Sequence, residues 1–474
     1  MQNNLLPSGK LIVEKLGINP HNLPAQFPTR EQRLQYRAVV QWLTDYKPKS
    51  DVSNIEKVRG YLEAFHHLCE VEDWKRAWEI LLTRLNTPTK EQLHNHLNTW
   101  GYYQEQADIY DRLLQKLNEQ IMNNPNLMWD SNWLELGRSI NIILMGLGNA
   151  YLCIGEDEKA IGYYQQRLAL ARNTKDRKGE GWALANIALA YKDIRNYNEA
   201  INCLHKSLAI VREIEDRKGE AACLRNLGFV YTKIGNYSDA LKYLQESLAI
   251  SQAISDSHGE GGSLIGLGNI CCFRDEYVTA TEHYQKCLEI AENIGYRQLQ
   301  CVALGSLSNV CFSQKNYAYS IDYSQQQLTI ATASGDRKRE GNAFAYLGIA
   351  YYFQGEYEQA IQSHQQHLVI AEEIGDLTEQ ATALCNLGCD LFQLEQYSEA
   401  ELYFLRSLKI SQKICDRSEE AYAFRNLAAI YQKLGNSLLT LEYCDRALSI
   451  ATELDIPLAK HCQELKEQLL SEQM

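Results

Sequence analysis

Proline is scarce where it would do most damage to a helix. The chain of 474 residues holds eight prolines, and none lies between Pro125 and Pro457. That long interior therefore contains no residue that removes a backbone donor and breaks a helix. Long hydrophobic runs are missing as well: no stretch approaches the roughly 18 apolar residues of a membrane span. Met1 to Lys10 has no apolar core of signal-peptide type, so secretion is not expected. Fourteen cysteines are present, yet no CxxC pair occurs, which removes the spacing of most zinc sites and thiol oxidoreductases. No GxxxxGK[ST] phosphate loop, nucleophile elbow or paired-acid motif appears, so no catalytic constellation is legible and no cofactor is expected. A formal charge of −13 argues against nucleic acid as a partner. Mean hydropathy is −0.38, so nothing suggests disorder.

What is present is repetition. One column of leucines recurs every 40 residues, from Leu168, Leu208 and Leu248 to Leu448. A second reads Leu147, Ile187, Leu227, Leu267, Leu307, Leu347, Leu387 and Leu427. A third is always small: Gly148, Ala188, Gly228, Gly268, Ser308, Gly348, Gly388 and Ala428. A period in this range is the mark of a solenoid, whose units bury their apolar faces only against neighbours. Such a molecule is more often a surface for holding proteins than a pocket for chemistry.

Within one unit, Leu224, Leu227, Gly228 and Tyr231 follow i, i+3, i+4, i+7 spacing and predict a first helix. Gly235-Asn236 breaks it, both residues tolerating the left-handed conformation. A second helix begins near Ser238 and carries Ala240, Leu244 and Leu248 on one face. Gly228 and Ala240 lack bulk where the two helices would cross, so they are expected to approach closely there. An acid stands before each first helix as a candidate cap: Asp176, Asp216, Asp256, Asp336, Asp376 and Asp416. Glu180, Glu220, Glu260, Glu340 and Glu420 follow in the first turn, where the helix dipole favours negative charge. Repeat five, with Ser320 and Ser324, and repeat eight, with Ser437 and Thr440, depart from the pattern and are expected to be weaker. The cysteines fit the same frame. Cys271 and Cys311 replace the tyrosine of Tyr151, Tyr191 and Tyr231, as small buried hydrophobes of a reducing, cytoplasmic protein.

The columns Leu224, Leu227, Gly228, Tyr231, Tyr237, Ala240 and Leu248 resemble the tetratricopeptide repeat. The likeness is eight-fold and covers about two thirds of the chain. It departs from the usual 34-residue unit in length and in lacking the closing proline. The 40-residue spacing, with linkers such as Asp176–Glu180 and Asp216–Glu220, resembles Pins-type scaffolds and cyanobacterial signalling arrays. The resemblance implies an all-α, right-handed solenoid of antiparallel helix pairs. The expected layout is an irregular lead-in over 1–27 and a helical N-terminal block over 28–122 with degenerate repeats. Eight repeats follow over 131–455, then a capping helix over 456–474. Helices in the block are expected near 29–46, 52–69, 73–86 and 89–118, with a linker at Asn123-Asn124-Pro125-Asn126. The block resembles the region preceding such arrays in STAND-type ATPases, without their phosphate loop.

The resemblance further implies that first helices line a concave groove. Its groove positions hold a ladder of asparagines: Asn149, Asn186, Asn226, Asn269, Asn309, Asn386 and Asn426. An amide offers donor and acceptor together and can hold a peptide backbone. Between them stand aromatics, among them Phe229, Phe273, Phe312, Tyr346, Phe353 and Phe392. Lys192, Arg225, Lys233, Arg425 and Lys433 outnumber a single clear acid, Asp193, so the groove reads as basic inside an acidic protein and suited to acidic peptide segments. The asparagines also belong to the general consensus of the family. The half-present carboxylate clamp (Asn149 and Asn186, with Met145 in place of a lysine) argues against a chaperone tail as ligand. The expectation is a non-catalytic scaffold for protein or peptide segments. The alternative is a peptide-responsive sensor whose ligand changes the packing of the N-terminal helices. A groove filled by the N-terminal block, and a site on the convex face, stay open. His364 and His367, three apart, and Cys385 and Cys389, four apart, have spacings a metal could use but lack an evident third ligand. Oligomeric state is not legible.

Overall fold

The computed structural model of the protein describes residues 5–49, 52–87, 90–123 and 133–472. They are helical apart from turns and one isolated bridge, between Arg84 and Gln92. The chain divides into two compact units, Met1–Tyr151 and Leu152–Met474.

In the first unit α1 (Gly9–Lys15) and α2 (Leu23–Gln26) precede α3 (Arg30–Thr44), α4 (Asn54–Glu70), α5 (Trp74–Leu81), α6 (Leu93–Thr99) and α7 (Tyr103–Asn123). The expectation of an irregular lead-in is corrected here. Ile12, Val13, Leu16, Leu23 and Phe27 are buried, Phe27 stacks on Tyr36 with centroids 3.5 Å apart, and Arg76 Nε donates to the Leu16 carbonyl at 2.6 Å. Helices of seven and four residues are too short to show a period, and Pro24 opens one of them instead of breaking it. The helix expected over 89–118 is two helices. Gly101, at φ +85°, turns the chain between α6 and α7. The proposed linker at Asn123–Asn126 falls almost wholly outside the described residues.

The next helix, α8 (Trp133–Ile154), crosses the division between the units. The second unit continues with α9 (Asp157–Asn173), α10 (Arg177–Asp193), α11 (Tyr197–Glu213), α12 (Arg217–Lys233), α13 (Tyr237–Ala253), α14 (Ser257–Phe273) and α15 (Tyr277–Asn293). It proceeds through α16 (Arg297–Ser313), α17 (Tyr317–Ser334), α18 (Arg337–Gln354), α19 (Tyr357–Glu373), α20 (Leu377–Gln393) and α21 (Tyr397–Lys413). It closes with α22 (Arg417–Lys433), α23 (Ser437–Glu453) and α24 (Leu458–Glu472). Most of these helices are 17 residues long, and the turn between them has a fixed form. A left-handed residue stands every 20 positions from Gly155 through Lys175, Arg195, Glu215 and Gly235 to Gly435 and Asp455. The 40-residue period is thus two equal halves. Asn236, expected to share the left-handed turn with Gly235, instead caps α13 with its side chain on the Asp239 amide at 3.3 Å.

The capping acids stand where the sequence puts them. Asp176, Asp216, Asp336, Asp376 and Asp416 each accept from a first-turn amide; Asp256 holds the cap position without that bond. Asp176–Glu180 and its counterparts are not linkers but helix N-termini. Their glutamates bind arginines on both sides: Glu220 pairs with Arg212 at 2.7 Å and with Arg217, and Glu180 with Arg172 at 2.8 Å and Arg177 at 2.6 Å. Lys178, Lys218 and Lys338 each reach the capping acid of the next repeat at 3.4–3.5 Å.

The small column works by complementary volume. A Cβ added at Gly228 would lie 2.5 Å from Leu244 Cγ, and at Gly388 2.6 Å from the Phe404 ring; Gly268 and Gly348 would meet Tyr284 and His364. Where Ser308 replaces glycine, the facing residue shrinks to Ser324. The Ser308 hydroxyl lies 2.7 Å from Ser324 Oγ and 2.9 Å from Ser320 Oγ, so the odd serines of repeat five satisfy one another.

Candidate peptide-binding face

Successive first helices of the second unit touch one another, α10 with α12 and onward to α20 with α22, whereas no successive second helices come as close. The stack therefore curves with its first helices inside, and their free faces line the inner surface. A residue two turns earlier on a helix shares a face, because 7 residues span nearly two full turns.

On that surface Asn186 and Asn226 are half-buried and Asn309 is exposed, and none of the three amides has a partner among the described residues. Arg225 is half-buried and makes no hydrogen bond or ion pair among the described residues; burial pulls its guanidinium below the usual arginine range, against the opposing charge of Asp256. The next repeat opposes it with glycines. A Cβ at Gly262 would lie 3.0 Å from Arg225 Cδ, and one at Gly266 2.8 Å from Phe229 Cε1. Arg225, Asn226 and Phe229 thus border a stretch of bare backbone at repeats three and four. An unpaired, partly desolvated cation beside free amides can take a carboxylate and the peptide group next to it.

Other members of the ladder are committed. Asn269 Oδ1 accepts from Tyr284 Oη at 2.7 Å. Asn426 is buried; it donates to Cys385 Sγ at 3.3 Å and Cys389 Sγ at 3.7 Å and accepts from Arg425 Nη1 at 3.0 Å. Those four residues form one cluster, in which Cys389 and burial raise the Cys385 thiol well above its ordinary value. Asn386 keeps a buried Nδ2 without an acceptor among the described residues. Asn149 is exposed and belongs to the first unit. Lys192 is spent on Asp193 at 2.8 Å, while Lys233 and Lys433 are exposed. Tyr346 is half-buried, and burial pushes its phenol up.

The inner face is less uniformly basic than its asparagine positions suggest. Glu379 and Glu419, seven residues before Asn386 and Asn426, share their face. His367 Nε2 bonds Glu379 at 3.0 Å and, with Lys338, holds its carboxyl below the usual range. Burial and the like charges of Asp416 and Glu379 push Glu419 the other way. The face is cationic at Arg225, and in repeats seven and eight it carries the carboxylates Glu379 and Glu419 beside the cations Arg425 and Lys433. Extending the column two turns back would have found this in the sequence, since it reads Gly179, Gly219, Gly259, Leu299, Arg339, Glu379, Glu419.

The paired histidines also resolve. His364 and His367 are both buried but turn to different acids, His364 Nδ1 to Asp390 at 2.7 Å and His367 to Glu379. Among the described residues no three metal-ligating side chains converge. No described helix is long and apolar enough to cross a membrane.

The chain has matches among known repeat families and solved structures. Family models described as tetratricopeptide repeat match residues 143–178, 179–253, 298–373 and 339–413. No curated protein matches the chain in sequence. Among solved structures, a STAND protein with a tetratricopeptide repeat sensor from Pyrococcus horikoshii superposes with a TM-score of 0.52 at 16% identity, covering 98% of this chain and 74% of its own. A Rap protein complexed with competence and sporulation factor gives a TM-score of 0.47 at 15% identity, over 76% of this chain and 99% of its own. The apo quorum sensor NprR from B. thuringiensis gives 0.46 at 16% identity, over 75% and 99%. With repeat matches over 143–253 and 298–413 and with stacked antiparallel helix pairs, the chain carries tetratricopeptide repeats and folds as an α-solenoid.

Proposed function

We propose that the protein is a non-catalytic interaction scaffold whose inner face holds an extended segment of another protein. The observation that carries this reading is the set of polar groups left without partners there. Asn186, Asn226 and Asn309 offer amides to a peptide backbone, and Arg225 offers an unpaired cation to a carboxylate. An arginine that is partly desolvated, with Asp256 near but not bonded to it, carries a cost to the fold. Ligand binding is the compensation. The acidic preference then belongs to repeats three and four, and the segment's acidic residues point away from Glu379 and Glu419.

The test is capture from the native source by the wild type and by an Asn186→Ala/Arg225→Ala/Asn226→Ala variant. A partner recovered only by the wild type, and displaced by an acidic peptide taken from its own sequence, supports the reading. For that peptide the single change Arg225→Ala should weaken binding about tenfold to a hundredfold, the worth of a hydrogen bond to a charged group. Equal recovery by wild type and variant would move the site off the inner face.

A further inference from the structure

At the turn end of the first helices the inner face changes chemistry. In the last turn of α14, α16, α18 and α20 stand Phe273, Phe312, Tyr352 with Phe353, and Phe392. The neighbouring repeats have Lys192, Lys233 and Lys433 in those two columns, and between Lys233 and Lys433 neither column holds a charge. Phe273 and Phe353 pack on rings of the preceding repeat, whereas Tyr352 packs on a ring of its own repeat. Phe273 stacks on Tyr237 with centroids 5.8 Å apart, Phe353 meets Phe312 edge-on at 5.0 Å, and Tyr352 meets Tyr357 at 5.6 Å. Phe273 remains 58% and Phe353 53% exposed, while Phe312, Tyr352 and Phe392 are half-buried. A single exposed phenylalanine needs no explanation; a run of rings through four successive repeats does. At either end of the run, Lys233 and Lys433 are exposed and have no ion-pair partner among the described residues.

We propose that this strip docks an extended protein segment carrying a run of apolar side chains bounded at both ends by carboxylates. The inference rests on the reading of the inner face as a protein-binding surface and names the chemistry of the occupant along its turn edge. Apolar side chains lie on the rings of repeats four to seven, where burying them returns the free energy of removing apolar surface from water. The bounding carboxylates pair with Lys233 and Lys433, which fix register along an otherwise slippery hydrophobic track. A basic or uniformly polar segment would set like charges against the lysines or leave the rings wet.

The experiment selects binders from a random-peptide library displayed on phage against the full chain. Synthetic versions of the selected peptides are then measured by fluorescence anisotropy against three variants. They are Phe273→Ser/Phe353→Ser, Lys233→Glu/Lys433→Glu and Asn186→Ala/Arg225→Ala/Asn226→Ala. The expected winners have an apolar centre bounded by Asp or Glu. They lose at least about tenfold in affinity on the ring variant, and a smaller, salt-sensitive amount on the lysine variant. The lysine variant breaks no described contact, so the proposal stays testable should the ring variant fold poorly. Winners of basic or polar composition, no winners, or undiminished binding by the ring and lysine variants would overturn the strip. If the asparagine–arginine variant still fails to bind in that last case, the wider reading of the inner face survives. A wild-type dimer that the ring variant dissolves in light scattering would make the occupant a second copy and equally overturn the proposal.

Discussion

Glu419 shows how a single residue can work against the fold that holds it. It lies in the first turn of α22, has no side-chain partner among the described residues, and faces Asp416 and Glu379. Its carboxyl is raised above the ordinary 4.5, so the folded state binds the proton better than the unfolded chain. Its stabilising share is complete below that value and is lost as pH rises through the folded pKa. Glu419→Gln should therefore raise the melting temperature at neutral pH, and the gain should vanish below about pH 4.5. Glu379 is the opposite case. Held down by His367 and Lys338, it stabilises above the usual carboxylate range and loses that share as pH falls through its folded pKa. Glu379→Gln should lower the melting temperature at neutral pH and converge with wild type in acid. Thermal melts at both ends of that range check the pair, and two shifts of the same sign at neutral pH would refute the assignment.

At the scale of the helix, turns and crossings carry the energetics. Arg195 and Lys315 occupy left-handed turns at φ +60°, a conformation that costs a side-chain-bearing residue roughly 1–2 kcal/mol. Glycine avoids that cost but has more freedom to lose on folding. Arg195→Gly should stabilise the protein by roughly 0.5–1 kcal/mol, read from chemical denaturation. A loss of stability would show that Arg195 makes a compensating contact. Gly228→Leu acts in the other direction. Its first new atom would fall 2.5 Å from Leu244 Cγ, and overpacking of this kind costs about 1–3 kcal/mol. An unchanged melting temperature would refute the close crossing.

The molecule as a whole is legible through its period. Because the turns recur every 20 residues and the contacts run between neighbours, stability approximates a sum over repeats and interfaces. Excising residues 257–296 removes one full period and joins Asp256, a capping acid, to Arg297, a first helical residue. The shortened chain should stay helical and unfold cooperatively, at a lower temperature. Excising only 257–290, six residues short of the 257–296 period, should destroy the transition, because the helical faces no longer meet in register. Circular-dichroism melts of both deletions decide this, and equal behaviour would refute the nearest-neighbour account.

Helix pairing and the small column were readable in the sequence, because both depend on spacing alone. Leu227, Gly228 and Leu248 recur, and recurrence at helical intervals leaves one way to bury them. The capping acids were readable for the same reason, since Asp216 acts within its own first turn. The partners of side chains were not readable, because they sit on other helices. Nothing in the spacing of the asparagines separates Asn226, which is free, from Asn426, which is buried against Cys385 and Cys389. Nothing in the spacing of His364 and His367 sends them to different carboxylates. The packed start of the chain was hidden too, as Ile12, Val13 and Phe27 belong to helices shorter than the window a period needs. Local spacing determines which residues share a helix face; only the stacking of one helix on another decides which of their polar groups remain open to a ligand.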